Sequence, residues 1–406
     1  MDISLDYRIA ILSHILPPSP SGQAVVLHRL LSNLSADRYI LISRENYDDI
    51  KHDCVATEKL SAKYYHLKPI FQLPILNRFG LSVLSNVFNI PWGIYRRARQ
   101  IEEIVQKEKC NLLIACTGDL YDLPAAYLVS NRNSIPLIPY IFDDYAYQWT
   151  GFYRFISKRM EPFILKHGKA VIVPNEYMQE EYLERYGITS TVIHNPCPLP
   201  NLNELDKAER VFNNQGINIV YTGAIYHANH DALRNLICAI HQLERDDLKL
   251  HIFTAQPESV FRQKGISGSK FVYHPHIRSS EVPKVLRQAD ILFLPLAFDS
   301  PIPEVVRTSA PGKIGEYLSA GRPILVHAPK DSFISGFFRE NHCGVVVDKN
   351  DPQVLSQEID RLISNREMQI KIGRYARRVA EAQFSVDKMS RKFSELIKSI
   401  QRKQWT

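Results

Sequence analysis

The sequence predicts an α/β chain of two Rossmann-like, doubly wound domains facing each other across a cleft. Three observations carry that prediction. A strand, a glycine-bearing loop and a helix open the chain twice, as "RIAILSHILPPSPSGQAVVLHRLLSNL" from Arg8 and "NIVYTGAIYHANHDALRNLICAIHQL" from Asn218. Short apolar runs alternate with amphipathic stretches in both halves, the pattern of parallel sheets covered by helices on both faces. The 406 residues, 45% hydrophobic and 23% charged, hold enough apolar material for two cores.

In the first half the expected strands after the opening one are "YILIS" (39–43), "NLLIAC" (111–116), "LIPYIF" (137–142) and "AVIV" (170–173). In the second half they are "KLHIFT" (249–254), "FVYH" (271–274), "ILFLPL" (291–296), "PILVH" (323–327) and "GVVV" (344–347). Between the halves, "NPCPLPNLNELDKAERVFNNQG" (195–216) is rich in proline, asparagine and charge. The expected organisation is a first domain over 1–198, a linker over 199–216 and a second domain over 217–385. A final helix, 386–406, is expected to cross back to the first domain.

The net charge of +7 favours anionic ligands or an anionic membrane surface. There is no dense basic tract, zinc-ligand spacing or aromatic RNA motif, so nucleic acid is not an expected partner. The six cysteines (Cys54, Cys110, Cys116, Cys197, Cys238 and Cys343) are scattered without a CxxC. They read as buried free thiols in a reducing cytosol. "MDISLDYRIAIL" lacks the basic start and apolar core of a secretory signal, and no apolar run is long enough to span a bilayer. The expected location is cytoplasmic.

One stretch departs from the plan. "KPIFQLPILNRFGLSVLSNVFNIPWGIYRRARQ" (68–100) is apolar and aromatic, with Arg78 its only charge between Pro69 and Ile94. Arg96, Arg97 and Arg99 follow. Two readings stand. It is a helical insertion packed on its own domain, or a membrane-facing patch with its arginines on lipid phosphates. The second would hold the protein peripherally at the inner face of the plasma membrane.

The stretch "SAPGKIGEYLSAGRPILV" (309–326) carries the chemistry. Pro311 suits the first position of a helix, and Lys313 then falls in the first turn, where the helix dipole disfavours a cation. Free amides and a lysine together make sense if a phosphate fills the spot. Glu316 shares the face of Lys313 and can accept hydrogen bonds from paired hydroxyls, as on a ribose. The plainer alternative is an exposed helical Lys–Glu pair.

Here the sequence closely resembles the donor-site signature of GT-B fold glycosyltransferases, especially the retaining group called family 4. Many members show Pro-x-Lys-x-x-Glu-Tyr, then a small residue, Gly, and x-Pro-Ile or x-Pro-Val. "VIVPNEYMQEEYLERYGI" (171–188), "TVIHNPCP" (191–198) and "VYHPHIRSSEVPKVLRQADILFLPL" (272–296) extend the likeness, which is strong over 170–385 and weak over 1–165. The resemblance implies that Lys313 binds the donor diphosphate and Glu316 the ribose, while groups near Pro275, His276 and Ile277 read the base. It implies that the Gly223 loop approaches the diphosphate and that Gly22 faces the donor phosphates and sugar. Two departures stand out. Thr308 occupies the place of a glutamate that touches the donor sugar in many members, so its backbone or hydroxyl would serve. "GAIYHANHDAL" replaces the usual cations after the first strand of the second domain, leaving Tyr226 and Asn229 as substitutes beside His227 and His230.

Asp143 and Asp144 follow an expected strand in "YIFDDYAYQW" (140–149), where the family often has a group near the donor sugar. A carboxylate there could orient an acceptor hydroxyl or stabilise oxocarbenium character; the alternative is a helix cap. His14, ending the first strand, is a further candidate. There is no Asp-x-Asp signature, so no metal and no cofactor are expected, with Lys313 and helix amides neutralising the leaving diphosphate. The expected reaction is transfer of a sugar from a nucleotide-sugar donor to the hydroxyl of a saccharide or lipid-linked saccharide, with retention, in bacterial surface polysaccharide or glycolipid assembly. Two alternatives share the fold: a non-hydrolysing nucleotide-sugar epimerase and a catalytically silent scaffold protein.

Overall fold

The computed structural model describes residues 7–47, 58–70, 82–212, 216–263, 266–275 and 277–402. The chain forms two compact units, Met1–His194 with Ser390–Thr406, and Asn195–Met389.

The first unit is built on a seven-stranded parallel sheet in the order β3-β2-β1-β4-β5-β6-β7. Its strands are β1 (Ile9–Leu12), β2 (Tyr39–Ser43), β3 (Lys63–His66), β4 (Leu112–Cys116), β5 (Leu137–Tyr140), β6 (Ile172–Val173) and β7 (Thr191–Val192). Helices α1 (Gly22–Leu31), α2 (Ser82–Lys107), α3 (Asp122–Asn133), α4 (Gly151–His167) and α5 (Glu176–Tyr186) lie between them. Every residue of β1, β2, β4 and β5 is buried, as expected of a sheet covered on both faces. β3 and β7 escape the sequence reading. β3 is an edge strand whose residues are exposed or half-buried, and β7 has two residues, so neither makes an apolar run.

The second unit repeats the plan with a six-stranded parallel sheet in the order β10-β9-β8-β11-β12-β13. It contains α6 (Leu202–Asp206), β8 (Ile217–Thr222), α7 (His230–Gln242), β9 (Leu248–Phe253), α8 (Glu258–Gln263), β10 (Phe271–His274) and α9 (Val282–Gln288). Then follow β11 (Ile291–Pro295), α10 (Pro303–Thr308), α11 (Lys313–Ser319), β12 (Ile324–His327), α12 (Phe333–Glu340), β13 (Val345–Val347), α13 (Pro352–Ser364) and α14 (Arg366–Val379). The last helix, α15 (Val386–Arg402), begins in this unit and continues in the first, where Ser390 Oγ donates to the carbonyl of Arg29 at 3.3 Å.

The stretch expected as a linker is instead part of the second unit. α6 forms within it, capped by Asn201, and Arg287 grips Asp206 through two hydrogen bonds of 2.7 and 2.9 Å. The cysteine expectation also needs one correction: Cys110, Cys116, Cys197 and Cys343 are buried free thiols, but Cys238 is exposed. Cys54 lies outside the described residues.

Residues 71–81 of the aromatic stretch lie outside the described residues. From Ser82 onward it is α2, which packs on α3. Ile90, Ile94, Ala98, Ile101 and Val105 follow a helical spacing into the core, while Val87, Phe88, Trp92 and Tyr95 are exposed. Arg97 corrects the membrane-patch expectation. It points inward, is 3% exposed, and stands 3.2 Å from the buried carboxylate of Asp122. The pair is not aligned for a hydrogen bond. Burial and then Asp119 therefore outweigh the guanidinium and raise the Asp122 carboxyl to about 8.

Arg97→Met is expected to lower the stability of the first unit by about 1 kcal/mol at pH 9, where the Asp122 carboxyl is mostly ionised and loses its cation. The folded-state pKa of Asp122 lies above its unfolded value, so its favourable contribution is complete at low pH and is lost as pH rises through about 8. The Arg97→Met deficit should therefore largely vanish at pH 6, where the carboxyl is neutral with or without its cation. Chemical denaturation at both pH values, with exposed Arg96→Gln as control, checks this.

Candidate functional site

In the second unit, β8 delivers Tyr221, Thr222 and Gly223 to the carboxyl edge of its sheet, and α11 brings Lys313 against them. Lys313 Nζ donates to the Thr222 carbonyl at 2.7 Å and lies 4.0 Å from the centre of the Tyr221 ring. The helix starts at Lys313, with Pro311 and Gly312 just outside it rather than at its first position. A cation at a helix start is thus compensated by a carbonyl and an aromatic face. Lys313 does not form the exposed pair with Glu316. Burial lowers its pKa to about 7, with Glu316 pulling the other way. Gly223 has φ +114°, which favours glycine, and a β-carbon there would stand 3.0 Å from Lys313 Nζ and displace the ammonium. Tyr317, one turn along α11, accepts a hydrogen bond from Thr222 N at 3.0 Å and closes the same joint.

The loop after β8 is tied down by residues the sequence reading did not single out. Tyr221 Oη donates to the Ala224 carbonyl at 2.6 Å, and the Gln256 side chain bonds both backbone groups of Ile225. Tyr221 and Tyr317 sit within the signature stretches, where a buried tyrosine reads as core; Gln256 carried no signal. Asn229 is a correction to the donor-binding set. It is buried, donates to Tyr221 Oη at 3.0 Å and to the Ala224 carbonyl at 3.1 Å, and accepts from Tyr226 N at 3.1 Å. Its amide shapes the loop rather than facing a ligand. Thr308 is buried, and its hydroxyl donates to the Glu304 carbonyl at 3.3 Å, which leaves its backbone for the contact expected there. Tyr226 is 48% exposed beside His227. Pro275 is exposed and Ile277 half-buried just past β10. His276 lies outside the described residues.

In the first unit, Gly22 opens α1, exposed, with no atom within 4 Å of where a β-carbon would stand. His14 at the end of β1 lies against Gly118, whose φ is +135°, and burial lowers its imidazole pKa. Asp143 follows β5 with its side chain exposed. Asp144 is a further correction, because its carboxylate is consumed by the fold. One oxygen accepts from Ala146 N and Tyr147 N at 3.0 and 2.9 Å, and the other binds Arg185. Arg185 also reaches buried Glu161, which accepts from Tyr182 and Tyr186 at 3.0 and 2.6 Å. Burial, then the charge of Asp144, raises Glu161 to about 7.

Two Rossmann-like units, each built on a parallel sheet, are the architecture of the GT-B class, and the second presents a lysine at a strand end with a glutamate a turn away. Residues 20–199 match the model of glycosyltransferase family 4, and residues 216–365 match that of the group 1 glycosyl transferases. The two matches together span most of the chain, which belongs to the group 1/family 4 glycosyltransferases and is a nucleotide-sugar-dependent enzyme. Among solved structures, a glycosyltransferase from Rickettsia africae superposes with a TM-score of 0.68 at 16% identity, over 97% of this chain and 98% of that one. HepE of Anabaena, solved with UDP and glucose, gives 0.68 at 14% identity, over 97% and 100%. A candidate UDP-N-acetylglucosamine 2-epimerase from Listeria monocytogenes gives 0.61 at 13%, over 97% and 96%. At such identities the likeness shows the fold alone, and both transferases and an epimerase share it. The family models separate them. No curated protein sequence matches the chain.

The Asp144 cluster predicts a stability phenotype. Arg185→Leu, which strands two buried carboxylates, should cost about 3–5 kcal/mol near neutral pH. Glu161→Gln should keep one of the two tyrosine bonds, because an amide offers one accepting oxygen, while removing a titrating group. The folded pKa of Glu161 lies above its unfolded value, so its contribution is lost as pH rises through about 7. The variant's stability should therefore fall less than wild type between pH 5 and 8, measured by denaturant titration.

Proposed function

We propose that the enzyme transfers a sugar from a nucleotide-sugar to a hydroxyl of a saccharide or lipid-linked saccharide, with retention, in bacterial surface polysaccharide or glycolipid assembly. The observation that carries the donor side is Lys313 poised on Thr222 beside Gly223. In this reading the anomeric carbon–oxygen bond to the diphosphate breaks as the acceptor oxygen bonds the same face. The acceptor proton passes to a donor phosphate oxygen, so no protein base is required. Lys313 stabilises the departing charge, Glu316 holds the ribose, and the Gly223 loop with Tyr226 borders the diphosphate. The backbone past β10 at Pro275 and Ile277 reads the base. Gly22 leaves room for the donor phosphates and sugar, and Asp143 is the carboxylate left for the reacting sugar or acceptor.

The acceptor side is supported by an exposed surface. No described helix is long and apolar enough to cross a membrane. Yet Phe88, Trp92 and Tyr95 on α2 and Tyr153, Phe155 and Phe163 on α4 are all exposed, and Tyr153 Oη donates to Asn86 Oδ1 at 3.4 Å. α4 adds exposed Lys158, Arg159 and Lys166, while its one acid, Glu161, is buried. Exposed aromatic groups beside the cations of α4, whose one acid is buried, suit an anionic bilayer surface where a lipid-linked acceptor would lie.

Lys313→Met should weaken UDP binding by roughly ten- to a hundred-fold, while the ligand-free protein melts at the same temperature or higher near pH 7. The lowered pKa means that Lys313 costs stability at and below pH 7, and that this cost fades as pH rises towards the unfolded lysine value. Wild type should take up protons when it binds UDP at pH 7.5, and Lys313→Met should take up fewer, seen by calorimetry in buffers of different ionisation heat. Equal affinities and equal proton uptake would remove the donor-site reading.

Phosphatidylglycerol vesicles should co-sediment wild type at low salt. Phe155→Ser combined with Phe163→Ser should stay in the supernatant. If both proteins partition alike, this face does not dock on lipid.

A further inference from the structure

The second unit has another concave site at the opposite edge of its sheet. Asp290 immediately precedes β11 and Pro323 immediately precedes β12, so both lie at the amino ends of parallel strands, whereas Lys313 meets the carboxyl end of β8. Between them and α14 is a cavity of about 440 Å³. Six arginines line it: Arg287, Arg322, Arg366, Arg374, Arg377 and Arg378. Four come from α14, where Arg366, Ile370, Arg374 and Arg377 recur at helical spacing and so share a face.

Their charge is only half answered. Arg287 is paired with Asp206, and Arg377 with Glu381 at 2.7 Å. Arg322 lies 3.7 Å from Asp290, its pKa lowered first by burial and further by Arg287 and Arg366. Arg366, Arg374 and Arg378 pair with no carboxylate among the described residues, and all three are exposed at the mouth. Several guanidiniums converging without matching acids cost electrostatic energy, and planar forks of this kind suit phosphate oxygens. The volume fits a small organic ligand, with Leu202, Pro323 and Ile370 as an apolar wall.

The cavity also touches the helix that carries Lys313. Arg287 Nη1 donates to the carbonyls of Ala320 and Gly321 at 3.1 and 3.3 Å, and Arg377 Nη1 to that of Ser319 at 2.8 Å. These are the last carbonyls of α11 and the turn after it. One seven-residue helix thus has Lys313 at its start and two cavity arginines on its end.

We propose that this cavity binds a small phosphorylated ligand carrying at least two negative charges, and that its occupancy alters nucleotide affinity through α11. The binding is independent of the donor-site reading; the coupling rests on it. An anion that draws Arg287 or Arg377 off the carbonyls would change the cap of α11 and the setting of Lys313 and Tyr317.

Pyrophosphate is the probe, titrated calorimetrically into full-length protein. Lys313→Met disables the proposed donor site. That variant should still bind pyrophosphate, with an affinity that falls steeply with salt. Adding Arg366→Gln, Arg374→Gln and Arg378→Gln should weaken the remaining binding at least tenfold while leaving the melting temperature near that of Lys313→Met; Arg374→Gln alone should give part of the loss. No binding to Lys313→Met, or binding that the arginine changes do not affect, overturns the site. Short-chain phosphatidic acid, whose phosphomonoester headgroup carries close to two negative charges at about pH 8, is titrated the same way at that pH to identify the source: binding that the arginine changes abolish assigns a lipid headgroup, and failure to bind assigns a free phosphate. For the coupling, UDP affinity is compared with and without pyrophosphate in wild type and in the arginine triple variant. Competition at the donor site affects both equally, so a different response in wild type supports the coupling and an identical one overturns it.

Discussion

The ammonium of Lys313 rests on the Thr222 carbonyl and the Tyr221 ring, and the second unit is organised around that contact. It joins the end of a buried strand to the start of a short helix from a distant part of the chain. A β-carbon at residue 223 would press on it, and Tyr317 fastens the same helix to the same strand end. The contact also has a cost. A half-buried amine beside a helix start is held below its ordinary pKa, so it is poised to gain a proton when an anion arrives. Structural compensation and ligand chemistry are therefore two uses of one group.

The first unit handles buried charge differently. Arg185 stands between Asp144 and Glu161, and Arg97 faces Asp122, with tyrosine hydroxyls completing the Arg185 network. These groups come from α2, α3, α4, α5 and the loop after β5, so they tie together helices that cover one sheet. Two carboxyls there stay near neutrality because burial and a second acid outweigh a single guanidinium. Each such cluster consumes residues that sequence alone would offer to a substrate.

The arginine cavity is the converse case, in which several cations are gathered with too few acids to answer them. Where Arg287 and Arg377 do find acceptors, they also take the final carbonyls of α11, a favourable place for a cation. The same helix is thus stabilised at its end by arginine and compensated at its start by a carbonyl and a ring.

The sequence by itself determined the two parallel sheets, because a strand buried on both faces must be written as a continuous apolar run; only β3 and the two-residue β7, which lack such runs, escaped it. It also marked Lys313, Glu316 and Gly223, whose local pattern of proline, glycine, cation and acid is legible within a few residues. Tertiary structure alone decided the availability of the other polar groups. Asp144, Asn229 and Arg97 look like ligand-binding groups in their own stretches, yet the side chain of each is held by a partner inside the fold. The arginines at 287, 322 and 366–378 look like ordinary surface charge until the fold gathers them around one cavity. The physical reason is the same in both directions. A polar side chain's role is set by which opposite groups lie within hydrogen-bond reach and by how much water remains, and for residues far apart in the chain neither quantity exists before the chain has folded.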